Sequence, residues 1–236
     1  MCFSPEADFV GGVLVGGVGV ATLMQVQHKR DIPLAALPLA FAAHEVAEGF
    51  VWLGTRGTIA KSGADVALYA YLFFAWALLP ALIPIAVRLV EPDPHRRRLM
   101  AILVVLGSAV GAYLLWVVAD HAITARVAGD SIDYRGVGSI GDTVTVLYVV
   151  ATCGTFVLSS SRRIVWFGVA NLAAVGVIAE VKSEGLTSLW CFWAAIVSVL
   201  IYLHFRDLRR CADRPEQVPT AAVERSSSDS VVAPRS

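Results

Sequence analysis

VALYAYLFFAWALLPALIPIAV, the stretch from Val66 to Val87, runs without a single charged side chain. Wound as a helix at ~1.5 Å per residue it covers roughly 30 Å, the hydrocarbon thickness of a bilayer. That reading predicts a membrane protein. Composition agrees: hydrophobic residues make up 57% of the 236-residue chain and mean hydropathy is +0.68, against an apolar share of ~45–50% in soluble domains. The 19 basic and 19 acidic residues cancel, so charge gives no case for a nucleic-acid partner.

Working outward from residues 66–88, similar apolar stretches occupy 8–26, 33–53, 99–119, 143–160, 163–181 and 186–205. Each approaches the ~20 residues that a spanning helix needs. The first has no basic leader and no small-residue cleavage site, so it reads as a retained span. Basic residues then orient the set. Lys29 and Arg30, Arg96 to Arg98, Arg162 and Arg163, and Arg206, Arg209 and Arg210 fall on alternate connections, which the positive-inside rule places in the cytoplasm. The expected fold is an all-α, polytopic bundle of seven transmembrane helices, N-terminus out and C-terminus in, multi-pass in the cell membrane. The bundle takes residues 1–205. Residues 206–236, rich in Arg, Ser, Pro and acids, predict a disordered cytoplasmic tail, because they offer little apolar surface to bury.

Two small-residue patterns predict close helix approach: Gly12 with Gly16 in the first segment and Gly107 with Gly111 in the fourth. Packing within the chain is one use of such faces, and a homodimer is the other. Pro33, Pro38, Pro80 and Pro84 predict kinks in the second and third segments.

The chemistry concentrates in His44-Glu45-Val46-Ala47-Glu48, in the middle of the second segment. Ionisable groups in hydrocarbon cost ~2.5–3.5 kcal/mol each on insertion scales, so they face partners or cavities. Helical spacing stacks His44 and Glu48 on one side and turns Glu45 about 100° away. His44, Glu48 and His121 are candidate ligands for a divalent metal such as zinc, and Glu45, Asp120 and Glu180 candidate proton-handling groups. The zinc-protease pattern His-Glu-x-x-His is not met, since Glu48 stands at its second histidine position. Trp52, Asn171 and Trp190 would line a ligand pocket. The alternative is structural, with these groups pairing among themselves or with Arg56 and Lys182. Of the cysteines, Cys2 and Cys191 both fall on the exported side, where a disulfide persists. Free thiols are the other reading.

The opening Met1-Cys2-Phe3-Ser4-Pro5-Glu6-Ala7-Asp8, the stretch His44-Glu45-x-x-Glu48-Gly49-Phe50-Val51-Trp52, and Thr187-Ser188-Leu189-Trp190-Cys191 with Trp193 together resemble an uncharacterised family of bacterial, largely actinobacterial, multi-span membrane proteins. The resemblance covers residues 1–205 and implies membrane architecture without an activity. Seven-helix lipid amide hydrolases of the alkaline ceramidase type are a looser comparison, but their histidine pair on the last helix has no match here. Function thus divides between a metal-dependent hydrolase of a lipid or exported small molecule and a sensor that binds a small ligand from the outer side. A proton-coupled transporter ranks below both, because the inner halves of the segments hold almost no ionisable groups.

Overall fold

Val66–Val87 does lie inside one long helical run, Lys61–Val90, among the longest and most apolar of the chain. A computed structural model describes residues 4–128, 131–136, 141–181 and 186–212, without the side chains of 128, 131, 177–181 and 186–192. The helices are α1 (Pro5–Leu23), α2 (Ile32–Ala35), α3 (Leu37–Thr55), α4 (Lys61–Leu72), α5 (Leu79–Val90), α6 (Pro94–Asp120), α7 (Asp142–Val157), α8 (Arg162–Val181) and α9 (Leu186–Ala212). Every predicted segment is therefore helical. Among the described residues, four continuous runs are long and apolar enough to cross a membrane: Pro5–Leu23, Lys29–Thr55, Lys61–Val90 and Pro94–Asp120.

The prolines act where expected. Pro38 cannot donate to the carbonyl one turn back, and the second segment breaks at Ala36 into α2 and α3. In the third, Phe73–Leu78 widens into a π-helical turn joining α4 to α5, with the Leu79 N–H reaching back to the Phe74 carbonyl. That leaves the Ala75 carbonyl without its helical donors, since Leu79 is diverted and Pro80 has no N–H. The Tyr148 hydroxyl of α7 donates to it at 2.8 Å. A second orphan, the Pro80 carbonyl, loses its donor to Pro84 and leans on Gly107 of α6.

At the end that carries the basic loops, the α5–α6 and α7–α8 connections are pinned together. Glu91 accepts from Ser159 Oγ at 3.0 Å, from the Ser160 N–H at 2.8 Å and from the Asp93 N–H at 3.1 Å. Burial pushes the Glu91 carboxyl up, but these bonds outweigh it and hold the group below its usual range. Arg96 Nη1 donates to the Leu158 and Ser159 carbonyls beyond the C-terminus of α7, supplying cation and donors where a helix end lacks both. The last helix runs past the predicted boundary at 205 to Ala212, tied by an Arg163–Asp207 ion pair and by Arg209 donating to the Met24 carbonyl. Residues 213–236, most of the expected tail, lie outside the described residues.

At the opposite end the structure adds an antiparallel hairpin, β1 (Thr124–Ala128) with β2 (Ser131–Arg135), where the sequence reading placed only a connection. Ile132 and Tyr134 alternate inward, while Asp133 and Arg135 pair with each other outward at 2.6 Å. Ile123 and Ile132 pack onto Val51, Trp52, Leu68 and Leu72, capping α3 and α4.

Candidate functional site

Helix α1 buries one narrow face: Asp8, Gly11, Gly12, Val15, Gly19 and Thr22 recur at helical spacing. That face meets α3. A Cβ at Gly12 would stand 2.7 Å from Val46 Cγ2, and one at Gly19 2.7 Å from Leu39 Cδ2. The glycines thus let α1 and α3 approach at a distance any side chain would forbid. Gly107 and Gly111 do the same for α6 against the Pro80 and Ala77 carbonyls. Both glycine patterns are used inside the chain. Gly17, which meets nothing within 4 Å, stands outside those seams.

The acids lie along this seam. Helix α3 packs against α1 on one flank and α4 on the other, so Glu45 and His44, about 100° apart, can both be buried. Glu45 turns to α1, where its Oε2 would lie 3.5 Å from a Cβ at Gly11. His44 turns to α4 and stacks on Tyr71 with ring centroids 4.3 Å apart. Tyr71 stacks in turn on Tyr134 of the hairpin at 4.9 Å. This aromatic column leads from α3 to the capping hairpin. Burial pushes the Tyr134 phenol well above its usual value, so it remains an O–H donor.

Asp8, His44, Glu45 and Glu48 are each at most 5% exposed. The three carboxyl groups are near enough to act on one another electrostatically. Both Asp8 oxygens lack a hydrogen-bond partner among the described residues, as does Trp52 Nε1, one turn beyond Glu48 on α3. Clustered carboxylates in such surroundings must be offset by protons or by a positively charged partner.

The structure brings together some of the predicted residues and separates others. His44, Glu45 and Glu48 form the centre, and Trp52 is buried beside them, its ring covered by the Arg56 guanidinium at 5.6 Å. Asp120 and His121 instead end α6 on the surface, 3.8 Å apart, with His121 Nδ1 also 3.0 Å from the Val117 carbonyl. Both are more than 40% exposed at their side chains. The proposed set of His44, Glu48 and His121 is not assembled: no group of three His, Cys, Asp or Glu among the described residues is placed to hold a metal ion. The side chains of Glu180 and Trp190 lie outside the described residues, and so does the Cys2–Cys191 pairing. Asp8, Tyr71 and Tyr134 are the site residues that sequence reasoning missed.

Asn171 belongs elsewhere. It borders a cavity of about 240 Å³ between α3, α5, α7, α8 and α9. There its Oδ1 accepts from Trp193 Nε1 at 2.5 Å. The walls are otherwise almost wholly apolar, including Phe41, Ile83, Val149, Cys153 and Val197.

Comparison with known proteins places the chain in a family. It belongs to DUF6629, a family of unknown function whose model matches residues 1–217. No curated protein and no solved structure matches it.

Proposed function

We propose that this chain is a multi-pass protein of the cell membrane, with seven spans, its N-terminus outside and its C-terminus inside, and that its outer-half acid site binds a small organic cation arriving from the outside. The observation that carries this reading is Asp8: a fully buried carboxyl group with neither oxygen hydrogen-bonded among the described residues, beside two further buried acids. Retaining such a group in an apolar bundle is costly unless a ligand or proton completes it. What supports the membrane setting is the apolar exterior of the helices, with Val13, Leu14, Val66, Val105 and Trp116 all exposed, together with basic residues on alternate connections.

The ligand-binding reading is preferred to the zinc hydrolase because His121 stands apart from His44 and Glu48. It fits a receptor or sensor more closely than a transporter, since the acids gather at one end of the bundle.

The test uses the full chain in mild detergent, with choline and putrescine as organic probes and zinc as the competing arm. Thermal unfolding should shift upward with an organic cation in the wild type and stay unmoved in Asp8→Asn. A response to zinc alone, abolished in His44→Ala, would restore the metal reading. No response to any cation, or an equal response in Asp8→Asn, would overturn the proposal.

A further inference from the structure

The cavity between α3, α5, α7, α8 and α9 takes no part in the acid site, and its walls say what it can hold. Each polar group whose partner is known there is already engaged inside the protein. The Tyr148 hydroxyl donates to the Ala75 carbonyl, Thr152 Oγ1 donates to the Tyr148 carbonyl of its own helix, and Trp193 Nε1 donates to Asn171 Oδ1. Water needs two to four polar partners to occupy a void, and an apolar cavity without them stays dry or takes up an apolar guest. Here that guest can be large: about 240 Å³ is many times the space of one water.

The position selects the class of guest. The lining comes from within the apolar segments, from Phe41 on α3, Ile83 on α5, Cys153 on α7 and Val197 on α9, where a membrane supplies hydrocarbon. A pocket that is predominantly apolar, with few polar groups, recognises shape and hydrophobicity instead of a headgroup. We infer that this cavity is a binding site for a single hydrocarbon tail, the acyl or isoprenoid chain of a membrane lipid. The tail fills the void between Leu79 and Ile83 of α5 and Val149, Cys153 and Phe156 of α7. This inference does not depend on the acid site, which shares none of the lining residues.

The experiment is native mass spectrometry of the full chain purified in mild detergent, followed by solvent extraction and chain analysis of what is released. The wild type should retain about one chain-bearing lipid per protein through detergent washing. Fatty-acyl and polyisoprenoid fragments distinguish the two sources, and either supports the site. Val197→Trp fills the cavity and should lower retention at least tenfold, with the helical circular dichroism unchanged. Should that variant not fold, Cys153→Leu makes a smaller filling and should lower retention in proportion. Three results would overturn the inference: a wild type that carries no lipid, one that carries exchangeable detergent only, or folded filled variants that retain as much lipid as the wild type.

Discussion

The tightest glycine seam among the described residues yields the most exacting prediction. A Cβ added at Gly107 would stand 1.9 Å from the Pro80 carbonyl oxygen and 3.0 Å from its carbon. Ordinary contact begins near 3.4 Å, so Gly107→Ala must drive α6 away from α5 by roughly 1.5 Å, since close-packed helices leave no slack. Neither partner is a side chain that can rotate aside. Pro80 is held by its own ring, and its carbonyl, deprived of a helical donor by Pro84, has no better place to turn. Overpacking of this kind costs about 1–3 kcal/mol or more, against which the better helix propensity of Ala returns only about 0.5–1 kcal/mol. We expect a net loss of about 2 kcal/mol. Gly17→Ala is the matched control: nothing lies within 4 Å, so it should be neutral or gain up to about 1 kcal/mol. The assay is reversible unfolding in mixed micelles titrated with sodium dodecyl sulfate and followed by circular dichroism. A Gly107→Ala protein as stable as the Gly17→Ala protein would refute the proposed contact and the account of the Pro80 carbonyl with it.

Three further outcomes follow from the same structure. Tyr148→Phe leaves the Ala75 carbonyl without a donor and should cost about 1–3 kcal/mol in that micelle assay, whereas Tyr69→Phe, at a partly exposed helix position, should be nearly silent. Asp8→Leu removes a buried carboxyl group without a hydrogen-bond partner among the described residues and should raise stability by about 1–3 kcal/mol while abolishing the response to organic cations; a destabilised variant would show that Asp8 is a structural partner instead. For Glu91, the folded carboxyl is held below its usual value of 4.5. Its contribution to stability is therefore complete above that pH and is lost as pH falls through the lowered folded value. Glu91→Gln should flatten the acid limb of the stability–pH curve and leave the neutral region lower by a constant amount. An unchanged acid limb would refute this role for Glu91.

How much of this was legible beforehand depends on whether the cause was local. Apolar runs and prolines are local, so the helical segments and the break before Pro38 could be read directly. The hairpin has a local signature too: Gly129-Asp130 is a turn signal, and Ile132, Asp133, Tyr134 and Arg135 alternate with the period of a strand. Asp8 left a fainter trace. It lies three residues before Gly11 and four before Gly12, on the small-residue face that the sequence marks for close packing, so an acid there is carried into the seam and not to the water at the helix end. By contrast, nothing near Tyr148 in sequence announces that its hydroxyl completes a carbonyl more than seventy residues away. The orphan at Ala75 is predictable from Pro80, but its donor is a property of the assembled bundle.

The failure of the predicted metal set has the same origin, and it sharpens what the site can be. Spacing alone correctly grouped His44 and Glu48 on one helix, because helical geometry is fixed by the backbone. Adding His121 required knowing where α6 ends. The helix stops at Asp120, and His121 takes an extended conformation with its ring beside the Val117 carbonyl, which keeps it at the surface. In its stead the third neighbour is Asp8, delivered by the glycine face of α1. Exchanging a neutral nitrogen ligand for a third carboxyl changes the chemistry, since three acids close together raise the local negative potential that only protons or a cation can relieve. The tyrosines add no positive charge to offset them: Tyr71 is stacked between His44 and Tyr134. Under the cation-binding proposal, the three buried acids are the groups that would meet the positive charge.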